Sequence, residues 1–200
     1  MASPGPEIKK VGSMKIPGIV DKLADLGKTT QYKQHEISAA EAGNMWNKLV
    51  ARYDLTESIM IKMNYIKDAD LEKEVRYLLK KINRQIIELE KVMAEHAVSL
   101  ALQPASEIKI TENISSVTDR YIYIRIYQSL KRFLPVHMVA FQQSTSPKLR
   151  EMFKTFLLEE MDLFERFQDF GRKSNLLPPQ PEYVNKKLVE RIKPTVMEAA

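Results

Sequence analysis

Residues able to do acid–base or metal chemistry are sparse in this chain. It has three histidines, His35, His96 and His137, and no cysteine. The missing cysteine removes disulfides, thiolate metal ligands and cysteine nucleophiles together. A di-iron centre in a helical bundle takes one Glu from each of two helices and a Glu-x-x-His pair from each of the other two. The three-residue spacing stacks carboxylate and imidazole on one helix face, one turn apart. No Glu-x-x-His occurs here. Glu95 and His96 are adjacent, so on a helix their side chains diverge by about 100°. A looser divalent-metal site could draw on Glu41, His96, His137 and Glu160, with Glu151 near one end. Against it stands the plainer expectation that each histidine packs with one hydrogen-bond partner. Glu160 lies in the middle of an apolar stripe, where a carboxylate is costly unless it is paired. Gln85, a tyrosine hydroxyl such as Tyr53, or a buried water are its expected partners. A single buried acid makes no catalyst without a second group of shifted pKa. The expectation is therefore no catalytic residue and no cofactor, with a degenerate divalent-metal site as the alternative.

Other chemistries find less support. Tyr121, Tyr123 and Tyr127 interleave with Arg120, Arg125, Lys131 and Arg132, a pattern that can stack single-stranded nucleic acid. The charge distribution argues against it. The 200-residue chain has a net charge of +5, but residues 1–35 and 172–200 carry +3 each and residues 36–171 carry −1. A nucleic-acid-binding body shows a dense basic face, so no nucleic-acid partner is expected. No glycine-rich phosphate loop or serine nucleophile elbow is present. No apolar run approaches the ~20 residues of a membrane span, and the first residues lack the apolar stretch of a secretory signal. Phe153, Phe156, Phe164, Phe167 and Phe170 read first as core, and as the lining of an apolar small-molecule site in a second alternative.

The elements that must position these residues are helices. Between the Gly- and Pro-bearing ends, only Gly43, Pro104, Pro135, Pro147 and Gly171 punctuate the sequence. A first helix is expected over 39–66, opened by the Ser38–Glu41 capping box. Its apolar stripe reads Ala42, Trp46, Leu49, Tyr53, Thr56, Met60 and Met63. Gly43 is expected to admit a neighbouring backbone. The second helix, over 70–100, has the stripe Leu71, Val75, Leu78, Ile82, Gln85, Leu89, Val92, His96 and Leu100. A third, over 117–143, is capped by Ser116 with Asp119 and carries Ile122, Ile126, Leu130, Phe133, His137 and Ala140 or Phe141. Pro135 should kink or break it. The fourth begins at Ser146-Pro147 and ends near Gly171 as C′ residue. Its stripe is Leu149, Phe153, Phe156, Glu160, Leu163, Phe167 and Phe170.

Four such helices bury their stripes together, so an antiparallel four-helix bundle over residues 37–175 is expected. A basic flexible arm (1–36) precedes it and a proline-containing tail (176–200) follows. The link over 101–115 reaches about 50 Å when extended, against about 42 Å for a 28-residue helix. It can cross the length of a bundle or form a local loop.

The segment Ser38–Trp46 (SAAEAGNMW), followed by Tyr65–Val75 (YIKDADLEKEV) and Leu176–Val184 (LLPPQPEYV), resembles a family of ferritin-like, spore-coat-like proteins of spore-forming bacteria. The likeness spans roughly 37–185. It implies a ferritin-like bundle with the long crossing connection. It also implies a non-enzymatic structural or interaction protein, cytoplasmic or spore-associated, with protein partners or self-association.

Overall fold

The computed structural model describes residues 28–112 and 114–178, and among them there is no strand. The all-α class is as expected; the arms at 1–27 and 179–200 lie outside the described residues. A short helix, α1 (Thr30–Gln34), precedes four long ones: α2 (Ala39–Met63), α3 (Ala69–Glu95), α4 (Asp119–Gln143) and α5 (Pro147–Lys173).

Local chemistry sets the helix starts. Ser38 accepts from the Glu41 amide while Glu41 accepts from the Ser38 amide, completing the expected capping box. Asp68 accepts from the amides of Asp70 and Leu71 to open α3. Thr118, not Ser116, caps α4 through the Tyr121 amide. Pro147 opens α5 as expected.

Two ends differ from expectation. α3 stops at Glu95, because Ala97 takes the left-handed conformation (φ 53°) and the Val98 amide turns back to the Met93 carbonyl. Leu100 therefore leaves the stripe and is exposed. α5 runs past Gly171. Its left-handed C′ residue is Asn175 (φ 55°), with the Leu176 amide on the Gly171 carbonyl. α4 continues unbroken through Pro135.

Contacts between the helices fix their directions. α2 and α3 pack as neighbours across a short turn, as do α4 and α5. Asn44 bonds Gln143 at one end of the α2–α4 pair, and the Lys67 amide bonds Asp119 at the other, so α2 and α4 are antiparallel. Lys148–Glu95 and Arg166–Glu74 make α3 and α5 antiparallel as well. α3 and α4 consequently run the same way, and the connection between them must travel the length of the helices. Gln103 bonds Glu90 near one end and Asn64 bonds the Ile108 carbonyl near the other, marking that path. The long link is a crossing connection, not a local loop.

The stripes of α3, α4 and α5 are buried largely as read from the sequence, with Phe141 and Phe170 only partly covered. That of α2 is not. Trp46 is 43% exposed, and Ala42, Met60 and Met63 are only partly covered. The inward face instead carries Met45, Lys48, Leu49, Arg52, Tyr53, Leu55, Thr56 and Ile59. Two long cations point inward, so a hydrophobicity template that assigns them to solvent rotates the helix the wrong way.

Neither core glycine takes the role expected of it. A Cβ on Gly43 would meet nothing within 4 Å, so no backbone approaches there. At Gly171 a Cβ would lie 1.9 Å from the Tyr123 hydroxyl oxygen. Gly171 is the close-approach residue, placed by packing and not by helix termination.

Candidate functional site: a buried polar level between the four helices

Each long helix contributes a polar side chain to one level of the interior. On α2, Lys48 and Arg52 are one turn apart and both are about 1% exposed. On α3, Gln85 sits between Ile82 and Leu89 in the stripe, and on α4 His137 follows Phe133 by one turn. On α5, Glu160 replaces a hydrophobic residue between Phe156 and Leu163. His137 and Glu160 are fully buried.

Arg52 organises the level. Its Nη2 donates to Glu160 Oε2 at 2.5 Å and to Gln85 Oε1 at 2.8 Å, and lies 3.0 Å from His137 Nε2. The guanidinium lies 4.2 Å from the centroid of Phe133, where the ring face stabilises it. Gln85 passes the network on by donating to Glu159 Oε2 at 2.8 Å.

His137 Nε2 lies 3.5 Å from Glu160 Oε2. Lys48 Nζ contacts His137 Nδ1. Burial holds Lys48 well below its usual range, aided by the Arg52 charge. Burial likewise pushes His137 down to about 4, again with help from Lys48 and Arg52. Burial alone would raise Glu160, but the Arg52 charge and the hydrogen bonds outweigh it and hold the carboxyl low. The level therefore pairs Arg52 with Glu160 and sets beside them two basic groups, Lys48 and His137, whose charged forms burial disfavours. Lys48 packs against the rings of Phe153 and Phe156, 5.4 and 5.5 Å from their centroids. Arg52 Nε and Nη1, Thr56 Oγ1 and Glu160 Oε1 have no protein hydrogen-bond partner.

The residues considered as metal ligands separate into four places. His137 and Glu160 meet at this level, where Arg52 already engages the carboxylate. Glu41 is consumed elsewhere. Beyond its capping box, its oxygens accept from the amides of Thr145 at 2.7 Å and Ser146 at 2.8 Å, which ties the start of α2 to the α4–α5 turn. His96 is buried at the end of α3, with Nδ1 2.9 Å from the Val92 carbonyl. Glu151 is exposed beside Lys154. Among the described residues no three His, Asp or Glu side chains converge on one point. The His137–Glu160 pair, flanked by two basic side chains, does not suit a divalent cation, because the nearby guanidinium repels it and already occupies the carboxylate.

Lys48 and Arg52 were missed from sequence. Their one-turn spacing inside an otherwise apolar helix face, opposite an unexplained mid-stripe Glu, was the available signal. The partner found for Glu160 is Arg52, whereas Tyr53 donates to Glu90. The phenylalanines Phe153, Phe156 and Phe167 fill the core. Tyr123 is buried too. It stacks on Phe167 with centroids 4.8 Å apart and donates to the Phe167 carbonyl at 3.1 Å, leaving Tyr121 exposed with Arg125.

No helix among the described residues is long and apolar enough to cross a membrane. No family model matches the sequence, and no curated protein matches it. A solved structure does match in fold: the crystal structure of a "putative spore coat protein" from Bacillus halodurans C-125. The superposition has a TM-score of 0.69 at 16% identity and covers 74% of this chain and 96% of that one. The likeness to a spore-coat-like protein that the sequence motifs carry is thus present in the fold.

Proposed function

We propose that this chain is a ferritin-like four-helix bundle that acts as a non-enzymatic structural component of the spore-coat-like kind, cytoplasmic or spore-associated. One observation carries the reading. Arg52 engages Gln85, His137 and Glu160 at once, one residue from each of the other helices, and so closes the level at which a ferritin-like bundle holds its metal. The centre then serves to fix helix register, a role that buried polar residues take in helical bundles. The fold shared with the Bacillus halodurans protein supports the association with spores.

Two measurements test this. Protein purified without chelators is analysed for iron, manganese and zinc, and is then titrated with each by calorimetry. The expected content is far below one equivalent; stoichiometric metal would overturn the structural reading of the centre. Immunoblots of fractionated sporulating cells of the source organism test the location. The chain is expected in the coat extract, and recovery only from vegetative cells would refute the spore association.

A further inference from the structure

The outward faces of α3 and α5 carry opposite charges around exposed apolar side chains. On α3, Arg76, Lys80, Arg84 and Lys91 fall at helical spacing on one stripe, and Ile87 stands among them at 66% exposure. On α5, Asp162, Glu165 and Asp169 form a stripe that continues from Leu158 and Met161, which are 52% and 51% exposed. Arg84–Glu159 and Arg166–Glu74 join the two helices beneath these stripes. Beyond those links, Lys80 and Lys91 on one side and Asp162 and Glu165 on the other have no ion-pair partner among the described residues. Lys80 and Lys91 on α3 and Asp162 and Glu165 on α5 are all exposed to solvent.

We propose that the basic face of α3 in one copy docks on the acidic face of α5 in the next, with Ile87 set against Leu158 and Met161. Charge complementarity selects a second copy of this chain as the occupant. The two faces differ, so the contact is head-to-tail. Each added copy leaves one face of each kind open, and the chain of contacts extends or closes into a ring. Salt bridges at such a rim are screened by ions, so association weakens with ionic strength. The contact goes beyond the structural role proposed above and stands or falls separately from the spore location.

Sedimentation of the full-length chain over a concentration series, at about 50 mM and about 500 mM salt, tests the proposal. Species larger than the monomer are expected at low salt, with at least a tenfold weaker association at high salt. K80E/K91E and D162K/E165K alter exposed side chains only, and circular dichroism confirms that each variant is folded. Each alone is expected to be monomeric. Mixed in equal amounts they should reassociate, since the acidified α3 of one meets the basified α5 of the other. A wild-type chain that stays monomeric at every concentration, as when its own terminal residues or another ligand covers a stripe, overturns the proposal. So does assembly unchanged in either variant, or a mixture that fails to reassociate.

Discussion

Arg52 on α2 and Glu160 on α5 face each other across the centre of the protein, with Nη2 2.5 Å from Oε2 and both side chains shut off from solvent. A buried pair of this kind contributes little net stability, since desolvation of both charges offsets their attraction. Removing one partner is a different matter, because the other charge remains stranded.

Arg52→Ala is accordingly expected to lower unfolding stability by about 3–5 kcal/mol, and Glu160→Ala by a similar amount. The double variant Arg52→Met/Glu160→Met should recover most of the loss and reach or exceed the parent. Urea denaturation of Arg52→Ala, Glu160→Ala and Arg52→Ala/Glu160→Ala beside the parent closes the cycle and gives the coupling directly. Purely additive losses would show that the pair is not the organising contact.

Acid should weaken the protein before its carboxylates titrate. The His137 pKa is lowered from 6.5 to about 4 by burial and by the neighbouring Lys48 and Arg52, against the opposing pull of Glu160. Between those values the unfolded chain binds a proton that the folded chain refuses. The contribution of His137 is therefore fully present above about pH 6.5 and is lost as pH drops towards 4, by about 3 kcal/mol in all. Phe133 and Phe156 complete the surroundings of the ring and add no charge. Equilibrium denaturation from pH 7.5 to 4.5 measures the slope, which His137→Gln should flatten.

The two glycines give opposite results on substitution by alanine. Gly43→Ala meets open space and gains helix propensity, so it should stabilise by about 0.5–1 kcal/mol. Gly171→Ala drives a methyl group into Tyr123, with contacts of 1.9 Å to the hydroxyl oxygen and 2.1 Å to Cζ. It should destabilise by about 1–3 kcal/mol despite the same gain in propensity. Thermal melts of the two variants beside the parent decide the sign of each.

Glu41 joins the start of α2 to the α4–α5 turn by hydrogen bonds to backbone amides that favour its charged form. Burial raises its pKa, but the amides of Ser38, Ser146 and Thr145 outweigh burial and hold it low. Its contribution is present above the ordinary carboxyl range and lost as pH falls below it. Glu41→Gln should cost about 1–3 kcal/mol at pH 7, whereas Ser38→Ala, which removes only the cap, should cost about 1 kcal/mol. Hydrogen exchange of the Thr145 and Ser146 amides should rise in Glu41→Gln.

Sequence alone determined the elements and much of their packing. Capping by Ser38 and Glu41, the proline at the start of α5, and the periodic stripes of α3, α4 and α5 act within a few residues, so they can be read without knowing the fold. Glu160 also announced itself, because a carboxylate in an apolar stripe demands a partner wherever the chain goes. Its partner was decided only in three dimensions. Arg52 can turn inward because Gln85 and Glu160, 33 and 108 residues further along, supply an acceptor and the countercharge that make its burial tolerable. Without them Lys48 and Arg52 belong to solvent, and the face of α2 rotates towards Trp46. The tertiary structure likewise chose the crossing connection over a local loop, and assigned Gly171 to Tyr123, since both depend on which helices become neighbours.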